Sequence, residues 1–266
     1  MGPALHPLPG KAGTRLALRL LPTISSLAGL FLPDRCGICE QVLDRITRVP
    51  VCDACWSSLE AQFQENICRT CGLPGPAELT LYTCPDCLEL SPHFLAARSY
   101  GAYGGALREL VHLLKYRGME PLALPLGQRM ASIADAPECR ELFSRCQAVV
   151  AVPLDSARKR ERGYNQAELL ARVVAKQLHL PLLPAGTLAR TRATPSQSGL
   201  NRIERRENMH GAFVCKHPKL PKTILLIDDV MTTGATLDAC AQALSAAGAR
   251  EVVALTVART PSLELS

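Results

Sequence analysis

Four Cys-x-x-Cys pairs, Cys36/Cys39, Cys52/Cys55, Cys68/Cys71 and Cys84/Cys87, begin at a constant interval of sixteen residues. Two residues between thiols let both sulfurs reach one ion from a tight turn, and a second turn completes a tetrahedral four-sulfur zinc site. The constant interval also makes the region an internal repeat. Gly37 and Gly72 adjoin cysteines and suit the cramped backbone of such turns. The simplest pairing joins Cys36, Cys39, Cys52 and Cys55 in one site and Cys68, Cys71, Cys84 and Cys87 in another, while the even spacing leaves an interleaved pairing open. Four thiolates leave no position for water, so both sites are expected to be structural, and so small a segment should need its metal to fold. Redox disulfides fit less well, because a thioredoxin-like motif uses one pair within a strand–helix unit. Cys139, Cys146, Cys215 and Cys240 lack metal-ligand spacing and read as ordinary core or surface residues. Trp56 is expected to pack over the metal knuckle formed with Cys55.

The 266 residues can hold one large and one small domain, and 47% apolar with 20% charged residues is a globular composition. Eight metal-bound thiolates on two Zn2+ would lower the formal charge of +6 to about +2, so bulk charge argues little for a nucleic-acid partner. With 4% aromatic residues, a stacking platform for many bases is not expected. Paired cysteines in a chain with its own core favour a reducing, cytoplasmic setting. The apolar stretch from Leu16 to Leu32 is interrupted by Arg19 and Pro22 and followed by Pro33. It reads as a short helix against the ribbon, the alternative being a targeting or membrane-surface segment with Arg15 and Arg19 as its basic start, and no apolar run is long enough for a membrane span.

Three segments are expected: a tail and short helix over 1–33, a double zinc ribbon over 34–90, and an α/β domain over 95–260. Leu107, Leu110, Val111 and Leu114 recur at helical spacing, ending near Lys115-Tyr116-Arg117-Gly118. A second helix follows Pro121 and closes at Ala136-Pro137. From residue 147 apolar runs alternate with amphipathic helices, the rhythm of strand–helix–strand units around a parallel sheet. Strands are predicted at 148–152, 182–188, 223–227 and 251–257, with helices carrying Ala167, Leu170, Ala171, Val174 and Leu178, and Leu237, Cys240, Ala241 and Leu244. Two arginine-rich interruptions, 154–166 and 190–208, fall after strands, where ligands of α/β sheets bind.

The run Thr223-Ile-Leu-Leu-Ile-Asp228-Asp229-Val-Met-Thr232-Thr233-Gly234-Ala235-Thr236 joins a buried strand, two carboxylates and a small-residue turn opening a helix. Backbone N–H groups at a helix start, flanked by Thr hydroxyls, form an anion site, and Gly234 lets a phosphate approach. Asp228 and Asp229 can accept hydrogen bonds from neighbouring ribose hydroxyls. No Gly-Lys-Ser/Thr follows at Walker spacing. Arg158, Arg160, Arg162, Arg190 and Arg192, with Arg205 and Arg206, offer forked donors to diphosphate oxygens.

This run resembles the signature of type I phosphoribosyltransferases, and with the tandem cysteine pairs the chain from about 30 to 260 resembles the ComF/GntX family of competence-associated, phosphoribosyltransferase-like proteins. Lys115 to Gly118, Val152-Pro-Leu154 with Arg162-Gly-Tyr-Asn-Gln166, and Arg190 to Asn208 are further family-like stretches. The resemblance implies a diphosphate-side loop for the second and a substrate-closing loop for the third. It also implies phosphoribosyl diphosphate as ligand, Mg2+ chelated by ribose hydroxyls and diphosphate, and phosphoribosyl transfer in a DNA-uptake or nucleotide-related setting. The other implied reading is a non-catalytic module for single-stranded DNA or a DNA-handling protein, its pocket regulatory. Thr232 stands where hypoxanthine-type relatives carry an acid, and a hydroxyl is a poor general base, so purine salvage of that kind is disfavoured.

Overall fold

The computed structural model describes residues 35–45, 47–59, 66–76, 78–79, 82–192, 202–217 and 219–261. The expected tail and apolar segment over 1–33, and Gln197 with residues 193–201, lie outside them. The chain divides into two compact units, 1–52 and 53–266.

The sixteen-residue repeat becomes a structural repeat of twice that period. Arg35 bridges Val42 and Ile67 bridges Pro74, both antiparallel. Cys36 N–H donates to the Gln41 carbonyl and Cys68 N–H to that of Leu73. The residue after the second cysteine of each first pair is left-handed, Glu40 at φ 60° and Gly72 at φ 68°. At Gly72 a side chain would also strike the Ala97 carbonyl at 2.8 Å. A short helix starts inside each second pair, just after its first cysteine: α1 (Asp53–Ser57), which holds Cys55, and α2 (Pro85–Leu90), which holds Cys87. The Trp56 ring carries the Arg129 guanidinium 4.4 Å from its centroid, so its partner is a cation of the larger unit.

The larger unit is built on four parallel strands in the order β1-β6-β5-β2: β1 (Ala96–Ala102), β2 (Ala148–Ala151), β5 (Thr223–Met231) and β6 (Glu251–Arg259). β5 and β6 are nearly continuous apolar runs because both faces are covered. Leu182 adds a parallel bridge to Val149 outside β2. β3 (Leu188–Arg190) and β4 (Phe213–Cys215) form a separate antiparallel hairpin. Of the predicted strand over 182–188, only the bridge and the hairpin's start are realised.

β1 was not among the predicted strands. Its sequence Ala-Ala-Arg-Ser-Tyr-Gly-Ala has no branched apolar run, and its order comes from pairing with β6, including Ser99 and Thr256 hydroxyls 2.6 Å apart.

The predicted stripe on α3 (Gly105–Tyr116) is buried at all four positions, and Gly118 at φ 65° lets the chain leave. α4 (Ala123–Ser132) is flanked by 3-10 turns, and Pro137 starts α5 (Pro137–Ser144) at its first turn. α6 (Ser156–Arg162) is capped by Asp155 and leaves through Gly163 at φ 85°, while α7 (Gln166–Gln177) is capped by Asn165. Gly127 of α4 lies where a Cβ would meet Val173 of α7 at 2.6 Å, which permits the close packing of the two helices. After α8 (Arg202–Met209), α9 (Ala235–Ala246) buries Leu237, Cys240, Ala241 and Leu244 against Ile224 and Leu226. No helix among the described residues is long and apolar enough to cross a membrane.

Candidate functional site

The eight paired cysteines gather as two four-sulfur groups, Cys36/Cys39/Cys52/Cys55 and Cys68/Cys71/Cys84/Cys87, each with ligand atoms within 4.8 Å of one another. This is the simplest pairing, without interleaving. The sulfurs of Cys39 and Cys52, and of Cys71 and Cys84, are 3.6 Å apart. That is too long for a disulfide and close to the roughly 3.8 Å edge of a tetrahedron with Zn–S bonds of about 2.3 Å. Cys36 Sγ accepts from Cys52 N–H at 3.4 Å, and Cys68 Sγ accepts from Cys71 N–H at 3.5 Å and Cys84 N–H at 3.3 Å. Such donors stabilise thiolates, so both groups fit Zn2+ held for structure. The second group is fully buried in one core with Phe94, Met231 and Ala235.

Asp228 and Asp229 are the sixth and seventh residues of nine-residue β5, and Gly234 at φ 84° opens α9 just beyond. Gly234 and Ala235 are buried, Thr233 and Thr236 half-buried, and Thr232 exposed. Thr233 Oγ1 accepts from Ala235 N–H at 3.4 Å. The first N–H groups of this twelve-residue helix lie in sequence beside these hydroxyls, the chemistry an anion cradle needs.

Lys115, the last basic residue of α3, reaches this pair: its Nζ is 2.7 Å from Asp229 Oδ1, with both side chains largely buried. Burial, the largest single influence, pulls the ammonium pKa down, but Asp229, with help from Asp228, outweighs it and the net shift is upward. Asp229 Oδ2 is buried without a hydrogen-bond partner. Asp228 Oδ1 accepts from the Asp229 N–H at 2.8 Å. Burial, then repulsion from Asp229, pushes the Asp228 carboxyl up to about 7, although a partial solvent opening remains. Lys115 was legible only as part of the Lys-Tyr-Arg-Gly stretch; its place beside the acidic pair is a contact between residues 114 apart in the chain.

The Arg162-Gly-Tyr-Asn-Gln166 stretch proves largely a scaffold. Tyr164 donates to the Leu114 carbonyl one residue before Lys115. Asn165 donates to the Val152 carbonyl at 3.0 Å while its Oδ1 caps α7 at Ala167 N–H. Arg162 bonds Gln166 and lies over the Tyr116 ring at 5.1 Å. Arg158 and Arg160 sit at exposed positions on α6.

The two arginine-rich interruptions do meet. A cavity of about 520 Å3 is lined by Pro153, Leu154, Asp155 and Lys159 on one side and by Thr187 to Arg192 on the other. Neither the acidic pair nor Thr232–Thr236 lines it, so it lies on the Leu182 side of β2, away from β5. Arg190 stands over the Phe213 ring at 5.6 Å. Arg192 donates to the Asn208 carbonyl at 2.9 Å and the His210 carbonyl at 3.1 Å, tying the two limbs of the hairpin. Arg206 pairs with Asp238 of α9 at 3.1 Å, and the same carboxylate receives His93 N–H at 2.7 Å.

Sequence comparison adds a lineage to this geometry. The model of a double zinc ribbon domain matches residues 27–88. The DNA utilization protein YhgH of Escherichia coli O157:H7 is 30% identical over 233 residues, covering 87% of this chain and 99% of its own. Competence protein F of Haemophilus influenzae is 28% identical over 227 residues, covering 84% and 90%. Competence protein ComFC of Bacillus subtilis is 28% identical over 218 residues, covering 79% and 84%. Paired four-cysteine groups, a parallel α/β sheet and near-complete alignment with these relatives lead to one conclusion: the chain belongs to the ComF family.

Proposed function

We propose that the cleft at the carboxyl end of β5 binds phosphoribosyl diphosphate and transfers its phosphoribosyl group. The observation that carries this reading is the acidic pair near the end of β5, followed after four intervening residues by the left-handed Gly234 that opens a helix. The N–H groups of residues 233–236 receive the 5-phosphate, and Asp228 and Asp229 receive the ribose hydroxyls. The unpartnered Asp229 Oδ2 is an acceptor that such a hydroxyl would satisfy. The Val152-Pro-Leu154 stretch, whose Val152 carbonyl is held by Asn165, is the diphosphate-side loop of this reading, while the cavity lined by Arg190 lies on the far side of β2.

In the transfer, the bond from ribose C1 to the diphosphate oxygen breaks, its electron pair leaving with diphosphate, and a nucleophile forms the new bond to C1. Asp228 and Asp229 orient the sugar and stabilise its developing positive charge. Oxygen donors of this kind suit a ligand carrying Mg2+, which would neutralise charge on the diphosphate. Thr232, exposed and weakly basic, offers no base for the acceptor, so the nucleophile must attack already deprotonated or pass its proton to the departing diphosphate.

The relatives named for DNA utilization and competence favour a setting in DNA uptake or utilisation, with Zn2+ structural. A second reading, in which the pocket regulates a DNA- or partner-binding module, draws on the same names. Calorimetric titration of phosphoribosyl diphosphate with Mg2+ into the wild type and into an Asp228→Ala, Asp229→Ala double variant tests the pocket. Binding lost in the variant is expected; equal binding, or none to either, removes the assignment. Diphosphate release with candidate acceptors then separates transfer from regulation.

A further inference from the structure

Each carboxylate of the acidic pair has one oxygen already engaged within the protein. Asp229 Oδ1 is held by the Lys115 ammonium, and Asp228 Oδ1 by the neighbouring backbone N–H. Among the described residues no hydrogen bond ends on Asp228 Oδ2, and Asp229 Oδ2 is without a partner. Asp228 and Asp229 thus each carry one oxygen without a hydrogen bond among the described residues, one acceptor for each hydroxyl of a vicinal pair.

Lys115 is itself firmly placed. The Leu114 carbonyl receives the Tyr164 hydroxyl, and the Tyr116 ring lies under Arg162, so the residues on both sides of Lys115 are fastened to the 162–166 stretch. The ammonium therefore approaches Asp229 from a fixed direction. It also opposes the mutual repulsion of two carboxylates at consecutive positions.

We propose that Lys115 is a positioning residue that makes this acidic pair select a vicinal diol: by pinning Oδ1 of Asp229 it presents one oxygen per carboxylate and so discriminates ribose phosphates from 2-deoxyribose phosphates. The proposal rests on the sugar-phosphate reading of the pocket and adds its selectivity. It gives a chain with DNA-linked relatives a site that rejects the sugar of DNA. Without Lys115 the Asp229 carboxylate loses its anchor, the 2-hydroxyl loses its acceptor, and only phosphate contacts common to both sugars remain.

The test is calorimetric titration of ribose 5-phosphate and 2-deoxyribose 5-phosphate into the full chain and its Lys115→Met variant, with zinc content and melting temperature checked for both. The wild type is expected to favour the ribose compound by roughly tenfold or more, and Lys115→Met to reduce that ratio to below about twofold. A role confined to folding would weaken both ligands alike and keep the ratio. A preserved ratio in Lys115→Met, or no preference in the wild type, overturns the proposal while leaving the pocket intact. Binding of neither sugar phosphate to the wild type overturns the pocket and the proposal together. If Lys115→Met does not fold, Asp229→Asn carries the same expectation of a collapsed ratio, and Lys115→Arg that of a retained one.

Discussion

The Arg259 guanidinium, at the end of β6, lies with Nη2 3.4 Å from the Cys71 sulfur. An internal strand of the sheet is thus hydrogen-bonded to the second cysteine group, whose four members are buried with Phe94, Met231 and Ala235. A thiolate accepting from a cation is a strong contact, and zinc release would leave both the sulfur and the guanidinium without their setting.

Loss of the second zinc site should therefore unfold more than a ribbon. Cys71→Ser is expected to lower the stability of the α/β sheet by more than about 3 kcal/mol, whereas Cys39→Ser, at an exposed ligand, should leave the sheet's melting nearly unchanged. Differential scanning calorimetry with metal analysis decides it; equal melting in Cys71→Ser and wild type would refute the coupling.

Gly234→Ala should damage both fold and binding. Its φ of 84° disfavours any side chain, and the new Cβ would lie 2.7 Å from the Met231 methyl. Met231 can yield, so the backbone strain dominates, at about 1–2 kcal/mol. Chemical denaturation should show that loss, and titration with phosphoribosyl diphosphate should show no binding.

Asn165 serves two elements at once, capping α7 and satisfying the Val152 carbonyl. Asn165→Ala should cost about 2–3 kcal/mol, more than a helix cap alone. Asn165→Asp keeps the cap and removes the donor, so its loss measures the Val152 bond separately. Equal stabilities of the two variants in urea would show that the Val152 bond carries the whole effect and the cap none.

The Asp228 carboxyl, raised from 3.8 to about 7, should make stability fall as pH rises. Between these values the folded chain binds more protons at this group than the unfolded chain, so the unfolding free energy declines from about pH 4 to pH 7 and then levels. Asp228→Asn removes that slope. The variant should exceed the wild type by roughly 1–3 kcal/mol at pH 8 and lose its advantage near pH 4. A constant difference across that range would place the perturbed carboxyl elsewhere.

Much of this molecule was determined locally. Cysteine spacing sufficed to name eight metal ligands in short chain segments, and the structure chose the sequential pairing over the interleaved one. The apolar runs of β5 and β6 and the stripe Leu107/Leu110/Val111/Leu114 announced themselves because burial on two faces, or on one helical face, leaves a period in the sequence. The acidic pair and Gly234 were legible because strand, carboxylates and turn are consecutive. Tertiary structure decided the rest. β1 is a strand because β6 supplies its hydrogen bonds, not because alanine, serine and glycine favour one. Trp56 took a cation as partner because α4 presents Arg129. Tyr164 and Asn165 serve as braces, and Lys115 is set against Asp229, through contacts between segments about 13 to 114 residues apart, a separation over which no sequence period survives.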